Sequence, residues 1–220
     1  MDTPTRILEV AEEMFAEEGY RAVSLRSITR ACGANIAAVH YHFGSKEVLL
    51  ERIFEMHCSV MNAERLRLLE ACRPGQGRPP MLEQILDAYL RPALMPPDGD
   101  ERARRFMRLR AAIAHEQADL SQQLVAKHFN AVTGTFVEAL MAELTHLARQ
   151  DFYWRFHFLL GAQYYTLANP GRIQIISGSA CDPSDTERAV QELIAFAAAG
   201  FRAPVVALPS FSAETMPAQD

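Results

Sequence analysis

Cysteine is scarce: four occur in 220 residues (Cys32, Cys58, Cys72 and Cys181), far apart and with no CxxC pair. That spacing excludes a disulfide framework and a structural zinc site, so the four read as small buried or idle thiols, and no metal or cofactor is expected. Long apolar runs are missing too. The longest mostly apolar stretch, Phe158 to Ala168, falls well short of the roughly 18 to 20 residues a membrane helix needs, so nothing is expected to span a bilayer. The first twenty residues hold six acids (Asp2, Glu9, Glu12, Glu13, Glu17 and Glu18) and no continuous apolar segment, which argues against a secretory or transit signal. The cytoplasm is the expected location. Strand alternation is also absent: only Ile173 to Ile176 looks β-like, and it is too short to build a sheet.

What is present is an ordinary globular composition, 49% apolar and 22% charged. The net charge of −5 would by itself argue against a nucleic-acid partner, because DNA affinity comes from Lys and Arg neutralising phosphates. The average hides an asymmetry. From Gly19 to Lys46 there is no Asp or Glu, while Arg21, Arg26, Arg30 and Lys46 supply four cations, leaving −9 on the remainder. One basic end on an acidic body is the pattern expected if only that end meets DNA.

Helical periodicity organises the chain. Ile7, Leu8, Ala11, Met14 and Phe15 predict an amphipathic helix from about 4 to 18, stopped by Gly19. Ser24 is placed to cap a short second helix carrying Leu25, Ile28 and Ala31, which Gly33 breaks. Asn35 can cap a third, Ile36 to about His42, and Ser45 a fourth that runs with Leu49, Ile53, Met56 and Val60 to about Cys72. Three prolines and two glycines make 73–80 a loop. Further helices are expected at 81–93, 101–117, 121–147, 151–168 and 184–200, with breaks at Pro92, residues 95–99, Asp119, Asp151 and the Asn169-Pro170-Gly171 turn. The fold class is therefore all-α with about nine helices, followed by a flexible tail (204–220). Val205, Val206 and Leu208 could dock that tail on the body.

Two short helices around Gly33 have the dimensions of a helix-turn-helix, whose second helix enters the major groove. Ala37 and Ala38 are small enough for close approach to base edges, and His40 projects a donor or acceptor beside them. Tyr41 and His42 stand at phosphate height, Lys46 lies at the N-terminus of the next helix, and Phe43 anchors the core. Gly19-Tyr20, Ser24-Leu25-Arg26-Ser27-Ile28 and Ala38-Val39-His40-Tyr41-His42-Phe43-Gly44-Ser45-Lys46-Glu47-Val48-Leu49 resemble the N-terminal domain of the TetR family of bacterial transcriptional repressors, over residues 6 to about 54. The resemblance implies base-reading or groove-lining roles for Asn35, Ala37, Ala38 and His40. It implies phosphate roles for Ser24, Arg26, Tyr41, His42 and Lys46, and a homodimer on double-stranded operator DNA.

In that family the remaining helices bind a small effector and form the dimer, so the resemblance implies a helix-turn-helix DNA-binding domain (1–50) and an effector-binding and dimerisation domain (51–203). Phe106-Met107-Arg108-Leu109, the segment Phe152 to Ala162 and Asn35-Ile36-Ala37-Ala38-Val39 resemble PsrA-type regulators, a fatty-acid-responsive branch. The expected function is a ligand-responsive repressor released by a small hydrophobic effector such as a fatty acid or acyl-CoA, with an aromatic or drug-like effector as the alternative. Trp154, His157, Phe158, Gly161 and Tyr164 share one helical stripe, and Met107, Ala111 and Ala114 another, as plain core or as pocket walls. Among the crowded Arg102, Arg104, Arg105, Arg108 and Arg110, Arg108 is the candidate for a carboxylate or CoA phosphate. The small residues Ala195 to Gly200 with Phe196 and Phe201 suit a dimer contact through the last two helices.

Other function classes fare worse. His115-Glu116 lacks the second histidine of an HExxH pattern, since position 119 is Asp, and no nucleophile motif is present, so no enzyme is expected. His40 and His42 lie two apart on different faces of a short helix and make no metal site. A helical interaction module without DNA binding would leave the acid-free window unexplained.

Overall fold

The computed structural model describes residues 3–35, 39, 41–72, 81–95, 100–169 and 171–205. Among them are nine helices and no strand: α1 (Thr3–Glu18), α2 (Leu25–Cys32), α3 (Lys46–Ala71), α4 (Leu82–Leu94), α5 (Asp100–Glu116), α6 (Ala118–Glu143), α7 (Arg149–Ala168), α8 (Arg172–Ile176) and α9 (Thr186–Arg202). Of the expected third helix, Ile36, Ala37, Ala38 and His40 lie outside the described residues. So do Val206 and Leu208 of the tail, while Val205 is exposed.

Apolar stripes decide the packing. One cluster joins Ile7, Phe15, Ile28, Val39 and Phe43 of the N-terminal part to Ile53, Phe54 and Cys58 of α3, Phe106 and Ile113 of α5, and Phe129 of α6. A second gathers Leu69, Tyr89, Phe136, Phe152, Phe156, Val190 and Phe201 from α3, α4, α6, α7 and α9. Each fully buried Phe or Ile contributes on the order of 1.5–3 kcal/mol. The first cluster therefore binds the N-terminal head to the body. The expected domain boundary at residue 50 falls inside α3, which runs unbroken from one cluster to the other.

Three expected breaks behave differently. Pro92 lies inside α4, two residues from its end, where its buried ring offsets the bond its missing N–H cannot give Ala88. Asp119 and Asp151 sit in the first turns of α6 and α7, where a negative charge favours the helix dipole. The α5–α6 break falls instead at Gln117, whose N–H still bonds Ile113 at 2.8 Å. The segment read as β-like, Ile173 to Ile176, belongs to the short helix α8, with Ile173, Ile175 and Ile176 exposed. Phe201, expected at a dimer contact, is buried in its own protomer at 5.7 Å from Phe152, because α9 turns its Ala197, Ala198 and Phe201 face inward and Phe196 outward.

Candidate nucleic-acid interface and effector site

The reading head is built from caps and anchors. Ser24 Oγ accepts the Ser27 N–H at 3.0 Å, and Ser27 Oγ accepts the Ser24 N–H at 3.0 Å, a reciprocal box that starts α2. Gly33 closes α2 in the left-handed region (φ 64°), which favours glycine. Past that turn Val39 and Phe43 are buried, and the Phe43 N–H bonds Val39 O at 2.9 Å, so one helical turn is pinned to the core. Its outer side carries Tyr41, 86% exposed, and exposed His42, their rings edge-on at 5.1 Å. Arg21, Arg26 and Arg30 are exposed, as is Asn35. Exposed cations and polar aromatics on a rigid base can meet phosphates without reorganising the core. Ala37, Ala38 and His40, expected to read bases, lie outside the described residues.

Lys46 is placed differently from a free phosphate hook. Its Nζ donates to Tyr20 O at 2.8 Å and Val23 O at 2.9 Å and lies 4.2 Å over the Tyr20 ring. It ties down the α1–α2 loop and keeps one N–H for an outside partner. Burial lowers its pKa, against the opposing pull of Glu47 and Glu116. Tyr20, whose hydroxyl donates to Glu47 at 3.3 Å, is raised by burial and by Glu47's charge. Ser24 likewise spends its hydroxyl on the cap.

The head is held from the body by a residue the sequence reading weighed only as a catalytic candidate. Glu116, at the end of α5, accepts the Arg21 backbone N–H at 2.7 Å. Gly19 beside it has φ 88°, which favours glycine, and a Cβ there would stand 2.5 Å from the Glu116 carboxylate and push it off its bond to Arg21. His57 on α3 lies 3.0 Å from Glu12 of α1 and stacks at 4.2 Å on Phe106 of α5, a second tie between head and body.

The expected effector residues divide. Met107 is buried and Ala111 partly buried, both inward. Arg108 points outward and pairs with Glu101 at 3.2 Å, so it does not enter the interior. Trp154, His157, Phe158 and Gly161 lie on the exposed face of α7, with Trp154 stacked on Phe158 at 5.9 Å. They cannot wall an interior pocket, because Phe152, Phe156 and Leu159 occupy the inward face. Tyr164 sits at the margin, close enough to Arg110 to affect its charge. The sequence reading missed Arg65 and Arg110, two arginines turned inward among apolar neighbours. Their signal was a cation on an apolar stripe: Arg65 continues Cys58 and Met61 toward Leu69, and Arg110 adjoins Leu109 and Ile113. Among the described residues no cluster could hold a metal ion, and no helix is long and apolar enough to cross a membrane.

Two family models match the chain: bacterial regulatory proteins of the tetR family over residues 7–53, and the tetracyclin repressor-like C-terminal domain over residues 87–200. The transcriptional regulator UidR of Escherichia coli is 39% identical over 51 residues, 23% of this chain and 26% of its own length. The transcriptional repressor NicS of Pseudomonas putida is 30% identical over 90 residues, 40% of this chain and 42% of its own length. The chain thus matches less than half the length of these curated relatives. The solved structure of the fatty acid degradation regulator FadR from Bacillus halodurans superposes with a TM-score of 0.67, covering 90% of this chain and 96% of that one. Its 14% identity makes this a likeness of fold.

Proposed function

Because the chain belongs to the TetR family of transcriptional regulators, not to an enzyme family, we propose that it is a ligand-responsive repressor that binds operator DNA as a homodimer and is released by a small hydrophobic effector. The observation that carries this reading is the acid-free head: Arg21, Arg26, Arg30, Tyr41 and His42 stand exposed on a core pinned by Val39, Phe43 and Lys46. In this reading Asn35, Ala37, Ala38 and His40 face base edges. Arg26, Tyr41, His42 and the remaining Lys46 N–H meet phosphates, and Ser24 presents its helix terminus.

The outward aromatics of α7 and Phe196 of α9 support the dimer, since a lone protomer would leave Trp154, Phe158, Tyr165 and Phe196 in water. Gly161, with open space around it, lets a partner helix come close. Two recognition helices then meet half-sites about 34–36 Å apart on a palindrome. The likeness to a fatty acid degradation regulator and the resemblance to PsrA-type regulators support an acyl-chain effector, such as a fatty acid or acyl-CoA.

Fluorescence anisotropy with DNA from the region upstream of the protein's own reading frame, at several salt concentrations, tests the reading. Saturable binding to a palindrome, weakening steeply with salt, is expected; equal binding to all duplexes or none overturns it. Adding acyl chains to the complex should release DNA. Release by an aromatic drug alone would remove the fatty-acid assignment and keep the regulator.

A further inference from the structure

Two cations meet inside this protein where no acid answers them. Arg65 of α3 is only 2% exposed; its Nε donates to Tyr89 O of α4 at 2.8 Å, and its guanidinium lies 4.2 Å over the Tyr89 ring. That bond occupies Nε and leaves its two terminal nitrogens available to a further partner. Arg110 of α5 is partly buried, lies 5.0 Å over the Phe129 ring of α6, and has Met107 Sδ at 3.6 Å as its hydrogen-bond contact.

The groups close enough to affect the Arg65 charge are Tyr89, Arg110 and Cys58, and those acting on Arg110 are Cys58, Tyr164 and Tyr89; no Asp or Glu is among them. Cys58 is no counter-ion, since burial pushes its thiol up to about 12. The acids of the body go to surface arginines instead: Glu187 to Arg91, Glu101 to Arg104 and Arg108, Glu83 to Arg202.

An interior charge without a partner is unfavourable, and two like charges more so, yet an arginine does not escape by losing its proton. Burial pulls both pKa values down, and for Arg65 the charge of Arg110 adds to it. The pair also sits at a boundary: Cys58 and Phe129 belong to the cluster that carries the head, Tyr89 and Leu69 to the cluster of the outer body. What suits that place is an anion with an apolar remainder, held by guanidinium groups.

We propose that Arg65 and Arg110 form an interior receptor for the anionic head, carboxylate or phosphate, of an amphiphilic ligand whose apolar part lies against the two clusters. This rests on the effector reading above and replaces outward-facing Arg108 with two residues of the interior.

The test uses the full chain and three probes of equal tail: decanoate, decyl phosphate and decanamide, by calorimetry and thermal melting. Decanoate or decyl phosphate should bind at least tenfold more tightly than decanamide, and the order of the two anions tells carboxylate from phosphate. Arg110→Met should weaken the anions at least tenfold and leave decanamide unchanged, while the ligand-free variant melts no lower than the parent because a repelling interior cation is gone. Arg65→Gln should weaken the anions similarly. Decanamide binding as tightly as the anions, no binding by any probe, unaltered anion binding in Arg110→Met, or a ligand-free Arg110→Met that melts well below the parent would each overturn the proposal. DNA binding without ligand separates the two readings: its failure in the parent protein sinks the regulator and leaves the anion receptor standing. Its retention alongside failed probes does the reverse.

Discussion

Replacing Lys46 by Met keeps most of the side-chain stem and deletes the ammonium that holds the α1–α2 loop. A hydrogen bond to a charged group is worth about 1.5–3 kcal/mol in the interior. Lys46 is partly exposed, so about 1 kcal/mol for each of its bonds to Tyr20 O and Val23 O is the appropriate scale. The contact over the Tyr20 ring adds roughly 0.5 kcal/mol. The expected loss is therefore about 2.5 kcal/mol, and at roughly 2–4 °C per kcal/mol for a chain of this size the Tm should fall by about 5–10 °C. Thermal melting followed by circular dichroism reads this directly. DNA affinity should fall for every sequence alike, with the salt slope shallower by about one unit as the third N–H loses its phosphate. Exposed Arg52, paired with Glu55 on its own helix, provides the control: Arg52→Ala should change stability by less than about 0.5 kcal/mol. If Lys46→Met melts within a degree of the parent, the anchoring argument is wrong; if it melts low with an unchanged slope, only the phosphate contact is.

Three further outcomes follow from the same geometry. Phe158→Asp with Phe196→Asp should yield a folded monomer in sedimentation velocity, whereas a surviving dimer would move the interface away from α7 and α9. Glu116→Gln keeps the shape beside Gly19 but weakens the acceptor for Arg21 N–H, so effector should release DNA less completely while effector-free affinity stays within a few-fold; unaltered release would rule out this link. The bond from Lys127 holds the Glu51 carboxyl below its ordinary range, and Arg202 does the same for Glu83. A depressed carboxyl contributes stability above its unfolded value of 4.5, and that contribution is lost as pH falls below it. Urea midpoints should therefore drop below that pH, with a smaller drop in Glu83→Gln; midpoints that stay flat would contradict both pairings.

The head was the most legible part, because its signals are local. Ser24 and Ser45 cap helices from their own sequence neighbourhood, and Val39 and Phe43 stand at helical spacing, so no knowledge of distant partners was needed. The body was legible as helices but not as faces. On α7 the apolar stripe of Trp154 and Phe158 and that of Phe152, Phe156 and Leu159 have the same period, and only the packing of α9, α5 and α4 decides which turns inward. Glu116 was unreadable for a related reason: its acceptor role depends on Arg21, far away in sequence, passing the end of α5. Arg65 and Arg110 were hidden because a cation on a helix is ordinarily solvated, and the lack of an acid nearby becomes visible only once all neighbours are in place.

The placement of the two arginines also bears on how the body could govern the head. Arg65 stands on α3, whose 26 residues extend about 39 Å, and Lys46 at the start of that helix grips the loop before α2. Arg110 stands on α5, about 9 Å along the axis from Glu116, which grips the same loop at Arg21. An anion drawn between the arginines would thus act on two helices whose far ends both hold the α1–α2 loop. Binding changes DNA affinity only if the anion prefers one spacing of those helices, and the coupling is reciprocal: a tenfold loss of DNA affinity requires about 1.4 kcal/mol weaker effector binding to the DNA-bound form. Relief of Arg65–Arg110 repulsion is a source of that preference which a neutral ligand of the same shape does not share. A neutral ligand would have to derive its coupling from packing against Met107 and Phe129 alone.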